Sequence, residues 1–383
     1  MLGRITVVVI VCAYFGLLFA LGGHRSWDRL GVPDLEPTFL DMRSVTSGWV
    51  CTRRGIDVLP LNPCDPLKRP ANYPRIWMKL AFLGLGPGST VVLALLTAAA
   101  FFAAAVALLD PRSSVGEAVV YAAALCSPAA MLGVERGNVD LALFAVVSVA
   151  VIVARRDRLG RIVSPILVLA AAVLKLFPIL AAGLLARQRR GLPVIGAVVL
   201  IFAAYALATI DDIRTIGKVV PQANDYSYGV DISGRWLAGR AHSQAWIFDA
   251  VLVIAGVGAA ILLSRRLAQP IPSTASPATA RAMDAFWAGA GIYVGTFCVF
   301  HSFDYRLVFL LLTIPQLLLW AREGRSIAYV TLAALLATLW LVRHDGLVAG
   351  AIAQIVLLAG LAAGLLATAP LLAHANLISR RRL

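Results

Sequence analysis

The sequence has little charge for its length. Asp, Glu, Lys and Arg make up only 14% of its 383 residues, whereas 60% are hydrophobic and the mean hydropathy is +0.84. This composition excludes an ordinary soluble globular domain and indicates a polytopic membrane protein. We therefore expect an all-α polytopic membrane protein that forms a single domain over residues 1–383, with a bundle of about 12 transmembrane helices of about 20 residues each.

The sequence also lacks the motifs of several enzyme classes. It contains no P-loop, no G-x-S-x-G elbow, no H-E-x-x-H and no Rossmann fingerprint, so nucleotide hydrolysis, serine hydrolysis and zinc proteolysis lack their required groups. The net charge of +14 is scattered over loop ends without a basic stripe, and we expect no nucleic-acid partner. No cofactor is expected and no metal-ligand spacing is evident, while a requirement for a divalent metal stays open.

Apolar runs between charged or turn-rich breaks predict the spans. They lie near residues 5–23, 88–109, 117–134, 141–154, 162–174, 177–186, 192–209, 246–264, 283–300, 307–321, 326–342 and 347–373. The two short runs that flank Lys175 and Pro178 suggest half-spans that meet inside the bundle. The first run lacks a convincing cleavage site, so we expect a retained anchor.

Short basic breaks predict the orientation of the chain. If the spans alternate, the breaks at 154–161, 186–191, 264–267, 322–325 and 379–383 share one side, which should be cytoplasmic. Residues 265–281 are interpreted as a flexible cytoplasmic linker. The opposite side receives the first loop (24–79), the second loop (211–245) and the polar turns 135–140, 174–178 and 301–306. The site should therefore face outward, and the composition fits a bacterial plasma membrane.

The cysteines are compatible with this orientation. Cys51 and Cys64 lie in the first loop, where an oxidising compartment allows a disulfide, although the two thiols can equally be free. Cys12, Cys126 and Cys298 lie within predicted spans, where they serve as small apolar residues.

Five short motifs along the chain resemble glycosyltransferase family 87. They are FLDMRSVTSGW (39–49), PANYPRIW (70–77), GNVD (137–140), KLFP (175–178) and YRLVFLL (305–311). The family consists of integral membrane enzymes of the GT-C fold and includes polyprenyl-phosphomannose-dependent mannosyltransferases. It often has a double proline where this chain has Tyr73, Pro74 and Arg75. The resemblance rests on the order of the motifs and on their common side of the membrane.

The resemblance implies a GT-C-like bundle with an extracytoplasmic first loop. It also implies transfer of a hexose, with mannose favoured, from a polyprenyl-phosphate donor to a lipid or glycan acceptor on the extracytoplasmic face. Such a transfer needs a carboxylate that takes the proton of the acceptor hydroxyl and cations that stabilise the departing phosphate. By the family pattern Asp41 is the general base. Arg136, Lys175 and Arg306 are the candidates for binding the donor phosphate.

Further residues are candidates for binding the sugar or the acceptor. They are Tyr73, Asn138, Asp140, His301 and Asp304, all next to the motifs above. Asn and Asp side chains can hold sugar hydroxyls, while aromatic rings can stack on sugar faces. The second loop, rich in Asn, Tyr, Gly and Trp, can shape the acceptor side or act as an interfacial segment anchored by Trp236 and Trp246.

Structural roles are the alternatives for the charged candidates. Asp41 can cap a helix, or it can pair with Arg43 or with an inner cation. Arg136 can be neutralised within its own turn by the neighbouring carboxylates, and Lys175 can extend to water without any function. His301 is most simply a structural histidine. The remaining carboxylates of the first loop, Asp28, Asp34, Glu36, Asp57 and Asp65, are interpreted as solvated surface charges.

A different class of function also fits the composition. A transporter or flippase of a lipid-linked glycan would use the same aromatic and cationic groups without any need for a base. The two halves of the sequence show no clear inverted repeat, which speaks against this alternative. A membrane scaffold would explain the spans but not the ionisable residues that adjoin them.

Overall fold

A computed structural model describes residues 1–188, 190–220, 226–233, 245–267, 277–299, 302–341 and 348–369. Helices dominate this part of the chain. The α-helices are Leu2–Ala20, Leu40–Arg53, Ile76–Lys79, Thr90–Leu108, Val115–Leu125, Pro128–Arg136, Asp140–Val153, Arg158–Leu174, Gly191–Ala208, Ile210–Val219, Ala245–Leu267, Pro277–Val299, Ile314–Arg322, Ser326–Trp340 and Val348–Thr368.

Shorter elements complete the description. The 3₁₀ helices are Gly23–Ser26, Asp28–Leu30, Leu80–Leu83, Pro87–Ser89, Phe177–Arg187 and Asp304–Leu312. Within the described ranges the strands are Ser227–Tyr228 and Ser302–Phe303, which pair antiparallel with Ser227 opposite Phe303. The protein is therefore all-α, as the sequence predicted.

Several helices are long and apolar enough to cross a membrane. Among the described residues five qualify, namely Leu2–Ala20, Pro87–Leu108, Gly191–Ala208, Ala278–Val299 and Ala349–Thr368. Two bent pairs, Val115–Leu125 with Pro128–Arg136 and Asp304–Leu312 with Ile314–Arg322, raise the number to seven if each pair is one span. The composition and these apolar helices together indicate an integral membrane protein. The number of about twelve spans stays a prediction, although every predicted run contains helix.

Local sequence explains the bends. Ser127 caps the helix Pro128–Arg136, because its hydroxyl accepts a hydrogen bond from the Ala130 N–H, and Pro128 suits the first helical turn. The chain therefore restarts its helix at Ser127, and the two helices meet at 50°. The predicted break at the K-x-x-P motif is confirmed, since one helix ends at Leu174, Lys175 is extended and the next helix contains Pro178 in its first turn.

An aromatic chain joins four segments in the centre of the bundle. Phe101 contacts Phe144 with ring centroids 5.0 Å apart, and Phe309 lies 5.9 Å from Phe144 and 5.3 Å from Phe177. Edge-on and tilted ring contacts of this kind add to the dispersion that holds helices together where lipid supplies no hydrophobic driving force.

The first loop is a folded unit with its own small core. Cys51 and Cys64 form a disulfide with a Cα–Cα distance of 5.9 Å, which confirms one of the two alternatives for this pair. The Trp49 indole donates to the Trp77 carbonyl at 2.7 Å, and the Trp77 indole donates to the Leu174 carbonyl at 2.8 Å. The loop is therefore joined both to itself and to the helix bundle.

The helix Thr90–Leu108 connects two opposite ends of the protein. At its beginning the hydroxyl of Thr90 bonds that of Thr46 in the first loop at 2.8 Å. Just beyond its end the Leu109 carbonyl accepts from Arg4 Nε at 2.9 Å. The amino terminus and the first loop therefore lie at opposite ends.

Basic residues gather at the end that holds the amino terminus. Arg155 Nη2 donates to Asp284 Oδ1 at 3.1 Å, and Arg187 Nε lies 3.4 Å from the same oxygen. Arg322 pairs with Glu117, which lies in the first turn of the helix that follows Leu109 along the chain. Three of the predicted basic breaks thus share one end, while the side that faces the cytoplasm stays a prediction.

The expected linker over 265–281 is partly wrong. The helix Ala245–Leu267 continues into it and the helix Pro277–Val299 begins within it. Pro at a helix start and the alanines that follow favour helix at the second of these positions. Residues 268–276 lie outside the described part of the chain.

The disulfide predicts a measurable loss of stability. The double variant Cys51→Ser/Cys64→Ser should lose about 2–4 kcal/mol, because a bridge closing a short loop removes entropy from the unfolded chain. Thermal unfolding in detergent measures this as a lower Tm. Cys298→Ser, which changes a free thiol, is the matched control. An unchanged Tm for the double variant would contradict a structural role for the bridge.

Candidate active site

A cavity of about 560 Å³ opens where the first loop meets the bundle. Its walls come from the first loop, from the helix Pro128–Arg136 and from the side chains of Val219, Tyr226, Phe303 and Tyr305. Asp41, Arg69, Tyr73, Arg136 and Tyr305 supply polar groups to this wall. Three of the five motifs, at 39–49, 70–77 and 305–311, therefore contribute residues to the wall of one cavity.

Asp41 lies in the first turn of the helix Leu40–Arg53. This helix begins directly after Phe39, whose φ of 59° turns the chain sharply into it. Its Oδ2 accepts a hydrogen bond from Asn138 Nδ2 at 2.6 Å, and its Oδ1 lies 3.6 Å from Arg69 Nη1. Arg43, the local alternative partner, donates instead to the Thr38 carbonyl. About 17% of the Asp41 side chain is exposed, and it lines the cavity.

Arg69 is a site residue that the sequence analysis missed. It donates to both oxygens of Asp65, from Nε at 3.0 Å and from Nη2 at 2.9 Å, and its Nη2 also donates to the Leu40 carbonyl. Asp65 is 2% exposed, so its interpretation as a solvated charge is wrong. The spacing of four residues between the two was a signal for the pair, but its nearness to Asp41 depends on the fold.

Asp140 forms ion pairs with two of the cationic residues that were predicted to bind the donor phosphate. Lys175 Nζ donates to Asp140 Oδ1 at 2.6 Å, and Arg306 Nε lies 3.6 Å from Asp140 Oδ2. The Asp140 side chain is 1% exposed and those of Lys175 and Arg306 are 14% and 13% exposed. Lys175 therefore does not extend to water. This cluster, called the inner cation cluster below, carries two positive charges and one negative charge.

Aromatic rings surround the inner cation cluster. Lys175 Nζ lies 5.4 Å from the ring centroid of Tyr73 and 5.5 Å from that of Tyr305. The Arg306 guanidinium lies 4.2 Å from the Phe177 centroid, at the end of the central phenylalanine chain. Cations in contact with aromatic faces keep their charge at a lower cost than cations in plain hydrocarbon.

Tyr73 is part of both the cavity wall and the inner cation cluster. It is 3% exposed, and burial together with the nearby negative charge of Asp41 raises the pKa of its phenol well above the usual value. The hydroxyl therefore keeps its proton at neutral pH and stays a hydrogen-bond donor.

Arg136 lines the cavity, but it is paired within its own turn. Its Nε lies 2.8 Å from Glu135 Oε2, and Glu135 Oε1 accepts a hydrogen bond from the Leu35 N–H at 3.3 Å. Of the two neighbouring carboxylates that the sequence offered, only Glu135 pairs with it, because Asp140 binds the inner cations. Arg136 therefore has a partner and a face toward the cavity at once.

The remaining predicted candidates lie at the edge of the site or beyond the described residues. Asp304 is 2% exposed and its N–H donates to the Tyr226 carbonyl at 2.9 Å, while its side chain is not part of the cavity wall. His301 lies outside the described residues, and so does Trp236. Tyr226 of the second loop lines the cavity, in keeping with the acceptor-side hypothesis, whereas Trp246 is exposed.

The chemistry available at the site follows from these groups. The carboxylates of Asp28, Asp34 and Asp41 and the guanidinium groups of Arg69 and Arg136 line a cavity with aromatic walls. Behind this wall, Lys175 lies against the rings of Tyr73 and Tyr305, and Arg306 lies against that of Phe177. Within the described ranges no three His, Cys, Asp or Glu side chains cluster as metal ligands. The arrangement can take a proton and can stabilise an anion.

Comparisons with known proteins found no relative of this chain, since no family model, no curated protein and no solved structure matches it. The resemblance to glycosyltransferase family 87 therefore rests on the five motifs and their order.

The inner cation cluster predicts unequal effects of two substitutions. Asp140→Asn should cost about 3–5 kcal/mol, because it leaves two cations buried without a counter-charge. Lys175→Gln should cost less, since Arg306 still faces Asp140 in that variant. Thermal unfolding of both variants in detergent gives the order of the losses.

Asp57→Asn is the matched control for these substitutions. Asp57 pairs with Arg75 at 2.8 Å, and the side chains of both are about half exposed. An exposed pair of this kind contributes about 1 kcal/mol or less. Equal losses for Asp140→Asn and Asp57→Asn would contradict the buried character of the cluster.

Proposed function

We propose that this protein is a membrane glycosyltransferase of the GT-C type. It transfers a hexose, with mannose favoured by the family resemblance, from a polyprenyl-phosphate donor to a lipid or glycan acceptor. The observation that carries the proposal is a cavity that contains the Asp41 carboxylate and adjoins the inner cation cluster of Asp140, Lys175 and Arg306. A base and a set of cations in one place are the two requirements of this reaction.

Asp41 is the proposed general base. Its carboxylate takes the proton from an acceptor hydroxyl while the hydroxyl oxygen forms a bond to the anomeric carbon of the donor sugar. The bond between that carbon and the phosphate oxygen breaks, and its electron pair leaves on the polyprenyl phosphate. The base must be ionised and accessible, and Asp41 has a cavity-facing side chain with polar partners on both oxygens.

The proposed phosphate ligands are Arg136, Lys175 and Arg306. The inner cation cluster has one positive charge in excess, which favours an anion that approaches it. Arg306 Nε has no hydrogen-bond partner in the described part of the chain, so it has a donor to offer to a phosphate oxygen. Arg136 adds a guanidinium on the cavity wall.

Aromatic side chains support a sugar as the transferred group. Tyr73, Tyr226, Phe303 and Tyr305 line the cavity, and rings of this kind pack on the apolar faces of sugars. Asp140 is occupied by the two inner cations, so its predicted contact with a sugar hydroxyl is replaced in this proposal by a role in holding those cations.

The predicted orientation selects the class of donor. Basic breaks gather at the end opposite the cavity, and if that end is cytoplasmic the site faces outward. Nucleotide sugars are cytoplasmic metabolites, whereas a polyprenyl-phosphate sugar reaches the outer face within the lipid. The proposed location is therefore the outer face of a bacterial plasma membrane.

The central test is a transfer assay with purified protein in detergent, radiolabelled polyprenyl-phosphate hexoses and a total lipid extract. Wild type should transfer label, and Asp41→Asn should reduce the rate by about 10²–10⁴-fold because the variant lacks the base. The Tm should change little, since an amide keeps the shape of the side chain.

Asp57→Asn provides the control for this assay. Asp57 is an exposed carboxylate of the same loop that is not part of the cavity wall, and its variant should transfer at the wild-type rate. Normal transfer by Asp41→Asn would remove this residue from the mechanism. No transfer by wild type with any donor would favour the transporter of a lipid-linked glycan.

A further inference from the structure

Asn138 lies at the centre of the site without being part of the cavity wall. It is 0% exposed and follows Gly137, the residue that ends the helix Pro128–Arg136. Its backbone N–H donates to the Gly133 carbonyl at 2.9 Å, its Oδ1 accepts from the Asp140 N–H at 2.9 Å, and its Nδ2 donates to Asp41 Oδ2 at 2.6 Å. A side chain so enclosed cannot reach a substrate in the cavity, which argues against the predicted contact with a sugar hydroxyl.

The contacts of Asn138 fix which end of its amide meets Asp41. The carbonyl oxygen is held by the Asp140 N–H, because a backbone donor can bond only an acceptor. The amide nitrogen must therefore point away from Asp140, and it meets the Asp41 carboxylate. An amide nitrogen can only donate, so Asp41 Oδ2 is the acceptor of this contact.

The turn that carries Asn138 is fixed against the residues around Asp41. Gly137 has a φ of 58°, and a Cβ at this position would lie 2.9 Å from Ala94 Cβ and 3.2 Å from the Cβ atoms of Phe39 and Met42. Only glycine allows both this conformation and this close approach. The turn formed by Gly137 and Asn138 is thus packed against the chain segment that surrounds Asp41. The amide group of Asn138 is therefore held in place before any substrate binds.

We propose that Asn138 is a positioning residue that holds the Asp41 carboxylate in one orientation. This inference rests on the proposed role of Asp41 as general base. Because Asn138 occupies Oδ2, the carboxylate has its other oxygen, next to Arg69, for the proton of the acceptor.

A charge swap tests the contact without any need for activity. Asn138→Asp puts two carboxylates within hydrogen-bond distance, so one of them keeps its proton to a higher pH in the folded protein than in the unfolded chain. Stability is then lost as pH rises above the ordinary carboxyl pKa, and the deficit in Tm should grow from about pH 5 to about pH 7. The swapped double variant Asp41→Asn/Asn138→Asp restores one acid and one amide, and it should regain most of the lost Tm.

The transfer assay tests the positioning role. Asn138→Asp should lower kcat with little change in KM. The pH profile of its transfer rate should be shifted toward alkaline pH by about one pH unit or more relative to wild type. The swapped variant should be stable but without transfer, because its carboxylate is enclosed at position 138 and the cavity holds an amide.

Asn62 offers a matched control for the substitution. It is also 0% exposed, its Oδ1 accepts from the N–H two residues on, at Cys64, and its Nδ2 donates to the Ser44 carbonyl. Asn62→Asp therefore changes the same chemical group in a similar local contact that does not involve Asp41. It should lower the Tm without a shift in the pH profile of transfer.

The outcomes separate this inference from the proposed function. A swapped variant no more stable than Asn138→Asp would overturn the contact, and a pH profile of Asn138→Asp equal to that of wild type would overturn the positioning role. If wild type transfers no sugar, the proposed function fails, and the swap alone then decides whether Asn138 holds Asp41. Recovery of Tm together with a shifted pH profile supports the inference.

Discussion

The ion pair between Lys175 and Asp140 is the contact on which the site depends. A charge enclosed among helices is costly unless it is paired, so the two residues must meet for the bundle to close. Their meeting brings the K-x-x-P break against the GNVD turn, and Arg306 joins them from a third segment. The same turn then places Asn138 beside Asp41 of the first loop. One buried carboxylate therefore organises four distant parts of the chain.

Local chemistry made part of this arrangement predictable. Apolar runs predicted the helical segments, and the proline at position 178 predicted the break beside Lys175, because both features act within a few residues of sequence. The common predicted side of the polar motifs indicated that they could form one site. Asp41 was predicted as the base through a family resemblance, and it lines the cavity together with Asp28 and Asp34.

Contacts between distant residues were beyond the sequence. The amide of Asn138 and the carboxylate of Asp41 are 97 positions apart, and no periodicity connects them. Asp65 was interpreted as a surface charge because loop carboxylates usually are, whereas the disulfide-bridged loop folds it inward against Arg69. The number of spans could not be settled either, since a bend of about 50° makes one apolar run into two helices.

The two indole hydrogen bonds of the first loop have a consequence for how a substrate enters. Trp77 joins the loop to Leu174 at the end of the helix before Lys175, and Gly137 packs against Phe39 and Met42 of the same loop. The first loop is thus held to the bundle at two places, and it forms part of the cavity wall. Under the proposed function, a substrate that enters the cavity therefore meets the first loop as a preformed surface.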